Sequence, residues 1–152
     1  MCRSYLKQRV TKKKREEKKM VKGLASYWRL IPQRYNLIGT RCKNCGEKFF
    51  PPRKLCPKCR RAGEIEKFKF SGNGEIYSYT IIHTAPEGFE FQRPYVMAII
   101  KLDEGPWVTS QIVDCKPEDV EIGKKVRMVF RKIIAGGKEG TIRYGYKFKL
   151  VD

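Results

Sequence analysis

The amino-acid sequence predicts a mainly β protein: a short N-terminal helix, a small four-cysteine metal ribbon, then a five-stranded barrel of the OB type. Three observations predict it. Two Cys-x-x-Cys pairs, Cys42/Cys45 and Cys56/Cys59, stand ten residues apart. Apolar residues at helical spacing occur just before them, and after residue 75 the hydrophobic period becomes two, in five separate runs. The 152 residues leave room for a small metal module joined to one domain of ordinary size. Residues 1–22 read as a basic arm, 23–62 as helix and ribbon, and 63–152 as the barrel.

The net charge of +18 is unevenly placed. Ten Lys/Arg against Glu16 and Glu17 give the arm a net +8, leaving +10 for the other 130 residues. Such a surface concentrates anions, whether nucleic acid, anionic lipid or a phosphorylated small molecule. In the arm, Leu6 and Val10 are four apart but nothing apolar follows until Met20, so no full-length helix face can dock. A frayed, solvated helix is the first reading and a nucleic-acid tail the second; a third is that Met20 is the true start. No apolar run approaches the ~20 residues that span a bilayer, and no apolar region follows the basic N-terminus as in a secretory signal. A cytoplasmic protein is expected.

From Gly23 to Thr40, Leu24, Tyr27, Trp28 and Ile31 fall at helical spacing, and Pro32 is expected to stop the run. A short extended piece, Tyr35 to Arg41, leads into the first cysteine pair. In an unsecreted chain two such pairs read as metal ligands rather than disulfides. Two residues between thiolates let each pair wrap one edge of a tetrahedral ion, and Gly46 tolerates the positive φ that such a turn requires. Zinc suits four thiolates and iron is the alternative with the same ligands. A site with all four positions filled has no place for water, so its role is structural: about 20 residues have too little core to fold unaided.

Arg60 to Lys69 reads as a connector. The strand candidates are Ile76–His83, Tyr95–Leu102, Trp107–Val113, Val126–Ile134 and Ile142–Val151. Turn residues separate most of them, at Ala85–Gly88, Asp103–Pro106 and Gly136–Gly140. Val126, Met128 and Phe130 share one face, as do Tyr144, Tyr146, Phe148 and Leu150. These aromatics are expected to look inward, with Lys125, Arg127, Arg131, Arg143, Lys147 and Lys149 on the wet side. Five strands in about 80 residues favour the OB-type barrel over a sandwich, which needs seven or more.

Catalytic chemistry finds little support. The one histidine, His83, has no orienting carboxylate or nucleophile in view; it is read as packed or loop-pinning, with a ligand contact as the alternative. Cys115 reads as a small packed residue, and Cys2 falls outside the metal pattern. Gly136–Gly140 lacks the spacing of a phosphate loop and is expected to be a hairpin turn.

The stretch from Arg41 to Cys59 (RCKNCGEKFFPPRKLCPKC) is far more specific than its cysteines alone. Together with Gly74–Thr80 (GEIYSYT), Ala85–Phe89 (APEGF) and Pro94-Tyr95, it resembles a largely prokaryotic family long labelled a domain of unknown function. Its members pair a rubredoxin-like zinc ribbon with a C-terminal OB-fold, and the resemblance covers residues 23–152. The family is associated with thiolase-superfamily enzymes, and an archaeal member joins acetoacetyl-CoA thiolase to hydroxymethylglutaryl-CoA synthase. The resemblance therefore implies a non-catalytic bridging subunit of the mevalonate pathway that helps form a shared CoA site for channelling, with structural zinc as its metal. CoA phosphates suit a basic cleft, and its pantetheine arm suits an apolar slot. Candidate CoA or partner contacts are Arg53, Lys54, His83, Phe89, Phe91, Arg93 and Tyr95. Two other classes compete: a single-stranded nucleic-acid-binding module, favoured by charge, and a free-standing thioesterase or acyltransferase.

Overall fold

Pro32 begins a helix rather than ending one. The computed structural model describes residues 24–86, 88–135 and 141–151. The basic arm with Cys2, Glu87 of the 85–88 turn and the Gly136–Gly140 turn lie outside them. Helices α1 (Leu24–Arg29) and α2 (Ile31–Asn36) form a short hairpin, and Pro32 occupies the first turn of α2. There its missing N–H costs nothing, because first-turn amides have no intrahelical acceptor. The extended reading of Tyr35–Arg41 is corrected accordingly. The helix runs to Asn36, and Leu37, at φ 48° and fully buried, turns the chain into strand β1 (Ile38–Cys42).

β1 is the centre of a three-stranded antiparallel sheet with β2 (Lys48–Phe49) and β3 (Ile65–Lys69) on its two sides. Ile38 lies opposite Lys69, and Cys42 opposite Ile65. Part of the supposed connector Arg60–Lys69 is thus a strand of the ribbon sheet. Gly39 lets another chain segment lie on this sheet: a Cβ there would stand 2.5 Å from the Phe70 ring.

The barrel comprises β4 (Asn73–Ile82), β5 (Tyr95–Leu102), β6 (Trp107–Ile112), β7 (Lys125–Ala135) and β8 (Ile142–Leu150). Its strand order is β4-β5-β6-β8-β7, closed by pairing of β7 with β4. The one parallel contact, β6 with β8, is a single pair, Ile112 beside Phe148. This is the partly open Greek-key barrel of the OB-fold. All five expected strands form, although β4 starts at Asn73 and His83 lies one residue beyond its end.

Ile76, Ile100, Val126 and Phe148 are at most 1% exposed and centre the core; each such side chain stabilises by about 1.5–3 kcal/mol. Leu37 and Phe70, which flank the ribbon sheet, belong to the same cluster. Phe50 meets Phe70 at 5.9 Å and Tyr146 at 5.7 Å, both edge-on, so the ribbon packs directly on the barrel.

The inward face expected of the last two strands holds only near their paired ends. Val126 and Phe148 are buried, but Phe130 is 45% exposed, with its ring stacked on partly buried Tyr144 at 5.4 Å. Conversely, Lys147, expected in solvent, is buried. The cause is geometric. β4 pairs only with residues 125–127 of β7, and β6 pairs with β8 only at Phe148. Beyond those points the β7–β8 hairpin leaves the barrel wall, bulging between Lys132 and Ile134, and α2 packs against it.

Candidate metal centre and binding clefts

The chain folds back on itself twice to gather the cysteines. In the first turn Gly46 N–H donates to Cys42 O (2.8 Å) with Gly46 at φ 73°; in the second, Arg60 N–H donates to Cys56 O (2.8 Å) with Arg60 at φ 49°. The ligand sulfurs of Cys42, Cys45, Cys56 and Cys59 all lie within 4.8 Å of one another. A tetrahedral zinc with bonds of about 2.3 Å sets its sulfurs about 3.8 Å apart, so the cluster fits the ion. Gly63 makes the approach of the two turns feasible: a Cβ there would stand 2.9 Å from Cys56 Cβ and 3.0 Å from Cys59 Cβ.

Crowding sets the thiols against one another when no cation is present. Cys45 beside it, with burial, pushes Cys59 up to about 12, whereas the Cys59 N–H brings Cys56 down to about 7. Four thiolates cannot share so small a volume without positive charge, which zinc would supply. Lys58–Glu47 (3.2 Å) and Lys43–Glu64 (2.5 Å) brace the rim, but both pairs are largely exposed and contribute little. Cys115, outside the cluster, packs against the barrel core as expected, and burial raises its thiol.

Arg53 and Lys54 sit on the loop between the cysteine pairs. Arg53 N–H donates to the buried Thr40 hydroxyl (3.0 Å), and its guanidinium lies 5.5 Å from the Phe49 ring centre. Both residues line a cleft of about 420 Å³ with Gln33 and Ile65. The aromatic loop lies elsewhere. Phe89 leans on buried Tyr95 at 6.2 Å, Arg93 Nε donates to Glu90 O, and Phe91 is fully exposed. The Glu90 carboxylate accepts the Gly88 N–H at 2.8 Å, and its hydrogen bonds to the backbone N–H groups of Glu90 and Gly88 hold it below the usual carboxylate range. His83 is exposed, which corrects its reading as packed. The candidate contacts therefore fall on two surfaces: Arg53 and Lys54 line one cleft, and Phe89 lines the other.

That second cleft, of about 510 Å³, opens where β6 and β8 diverge. Thr109, Ser110 and Gln111 form one wall, and Gly145, Tyr146 and Lys147 the other. Arg34 and Arg143 stand 5.0 and 5.5 Å from the centre of one ring, that of Tyr27, at its margin. Alternation alone assigned Arg143 and Lys147 to solvent and passed over Arg34 and Tyr27. The one signal within the sequence is Gly145, which interrupts an aromatic run where the two strands separate.

Among the described residues, no helix is long and apolar enough to cross a membrane. Family models described as the ChsH2 rubredoxin-like zinc ribbon domain and the ChsH2 C-terminal OB-fold domain match residues 31–66 and 69–131. A DUF35 domain-containing scaffold protein of Methanocaldococcus jannaschii is 58% identical over 125 residues, 82% of this chain and 89% of that one. Subunit BbsA of the benzoylsuccinyl-CoA thiolase of Thauera aromatica is 27% identical over 76% of each chain. Among solved structures, a chain of the Ltp2-ChsH2(DUF35) aldolase superposes with TM-score 0.63 at 28% identity, covering 83% of this chain and 92% of that one. Ribbon, barrel and cysteine cluster agree with these matches: the chain belongs to the family of DUF35-domain scaffold proteins, in which a rubredoxin-like zinc ribbon is joined to an OB-fold.

Proposed function

We propose that this protein is a non-catalytic scaffold subunit of an acyl-CoA-handling, thiolase-type assembly. In the finer form of the proposal, it bridges acetoacetyl-CoA thiolase to hydroxymethylglutaryl-CoA synthase and helps form a shared CoA site. The observation that carries it is Phe91. The ring stands wholly in solvent, yet its loop is braced: Phe89 rests on Tyr95, Glu90 caps Gly88, and Gln92 Nε2 reaches Ile133 O. A rigid loop that presents an aromatic side chain to water suits an interface anchor, because docking loses little entropy there. The names of two relatives, a thiolase subunit and an aldolase component, support a partner of that class.

The test is reconstitution. Zinc-loaded protein mixed with the thiolase and the synthase of the same cell should elute as one ternary complex, and Phe91→Asp should break it without loss of fold. Absence of binding to either enzyme would overturn the proposal. Arg53 and Lys54 enter as the CoA contacts to be tested within that complex.

One observation favours a second reading. Tyr77 and Trp107 are half exposed on the outside of the barrel, with ring centres 4.4 Å apart, and exposed aromatics on an OB-fold sheet can stack nucleobases. Salt-dependent, submicromolar binding of single-stranded oligonucleotides, lost in Trp107→Ala, would favour it; no binding at low salt would end it.

A further inference from the structure

The β6–β8 cleft gathers three cations, Arg34, Arg143 and Lys147, that form no ion pair among the described residues. The parallel strands pair only at Ile112 and Phe148, and the opening beyond, about 510 Å³, is within the range of small-molecule sites. Lys147 lines it with 6% of its surface exposed. Among the described residues its ammonium makes one hydrogen bond, to Gln92 Oε1 at 3.1 Å, although it carries three protons to donate. Burial lowers its pKa and Arg131 lowers it further. Asp114, which opposes the shift, is already paired with Arg131 at 2.7 Å.

Arg34 and Arg143 share the Tyr27 ring, and among the described residues neither forms an ion pair. Among the described residues, no Asp or Glu lines the cleft. A buried, incompletely paired ammonium is a cost to the fold, since an apolar side chain of similar length would fill the same space without it. Its place on a cleft that two guanidiniums and an apolar wall also line fits a site prepared for an anion.

We propose that this cleft binds a phosphate monoester with an apolar body, the dianionic head among Lys147, Arg34 and Arg143 and the body along Met97, Ile133 and Tyr146. Guanidinium forks match phosphate oxygens, and a dianion answers several cations better than a carboxylate does. The site is complete within one chain, so the inference does not rest on the scaffold reading.

Titration calorimetry of the full chain with n-hexyl phosphate, inorganic phosphate, n-hexanoate and n-hexanol tests it. Hexyl phosphate should saturate one site at least tenfold more tightly than phosphate or hexanoate, with no saturable uptake of hexanol. Lys147→Met and Arg143→Gln should each weaken binding at least tenfold, and Lys149→Gln, exposed on the same strand, should leave it unchanged. Lys147→Met should also hold or raise the Tm of the free protein, which a purely structural lysine would not do. If that variant fails to fold, Arg143→Gln carries the test alone. Hexyl phosphate binding no tighter than inorganic phosphate or hexanoate would overturn the proposal. So would an equal loss in Lys149→Gln, which would mark general attraction to a basic surface.

Discussion

The hydroxyl of Tyr27 donates to the carbonyl oxygen of Tyr144 at 2.7 Å and accepts the amide N–H of the same residue at 2.8 Å. One side chain thereby satisfies both backbone groups of a residue on β8 where that strand has left β6. The contact joins residues 117 apart in the sequence and fixes the helical hairpin to the barrel.

Tyr27→Phe keeps the ring and removes both bonds. Because the Tyr27 site is largely buried, the loss should cost about 1–3 kcal/mol, read as a lower urea midpoint. Hydrogen exchange in α1 and α2 should quicken before that of β5. Unchanged exchange in the helices would show that apolar packing alone holds them.

Zinc should be present at one ion per chain by mass spectrometry. Chelation, or Cys42→Ala, should disorder the ribbon and abolish partner binding while the barrel stays folded. Amide spectra would show the ribbon signals collapse and those of β4 to β8 persist, with shifts near Phe70 and Tyr146, where Phe50 packs. Partner binding that survives metal loss would remove the ribbon from the interface.

Gly63 and Gly46 should respond differently to alanine. At Gly63 the added carbon meets two cysteine Cβ atoms, so zinc affinity in competition with a chelator should fall at least tenfold. At Gly46 nothing lies within 4 Å, and only the positive φ resists, at a cost of about 1 kcal/mol. Equal effects would mean that crowding around Gly63 does not shape the site.

Phe91→Ala should leave stability within about 0.5 kcal/mol of wild type, whereas Tyr95→Ala, at a buried position, should cost about 3 kcal/mol or more. Denaturant melts of the two variants separate an interface anchor from a core residue four positions along the chain, at the start of β5.

Glu90 supplies a pH effect of definite sign. Its carboxyl is depressed by backbone N–H groups, so its contribution is complete above its ordinary value near 4.5 and is lost as pH falls through the lower folded value. Carbon-detected titration should place the Glu90 midpoint below the ordinary glutamate value. Glu90→Gln should loosen the 88–93 loop at neutral pH as acid does in wild type.

Much of this architecture was legible. Cysteine spacing located the ribbon, and period two located all five barrel strands, because both are local patterns. The errors arose where a distant partner decides the outcome. Residues 65–69, with Glu66, Lys67 and Lys69 among them, carry no clear alternation and become a strand through pairing with β1. Pro32 is equally consistent with ending one helix or starting the next, and the turn at Leu30 decides. Phe130 and Lys147 exchange their expected environments because the β7–β8 hairpin outruns its neighbours, a mismatch of lengths across strands far apart in sequence. The same mismatch creates the cleft, so its cations could not be grouped by inspection of any single segment.

The placement of β8 between β6 and β7 also has a consequence for the order in which the molecule can be made. Synthesis delivers helices, ribbon and four barrel strands before the strand that joins the two open edges. Until residue 150 has left the ribosome, β6 and β7 each present an unpaired side, and Tyr27 has no backbone to hold. Chain growth at roughly 5–20 residues per second prolongs that exposure, because closure by long-range pairing cannot begin until the strand is available. A nascent chain stalled near residue 141 should therefore be the species most prone to pair with a neighbour, and the last nine-residue strand is the one that ends that exposure.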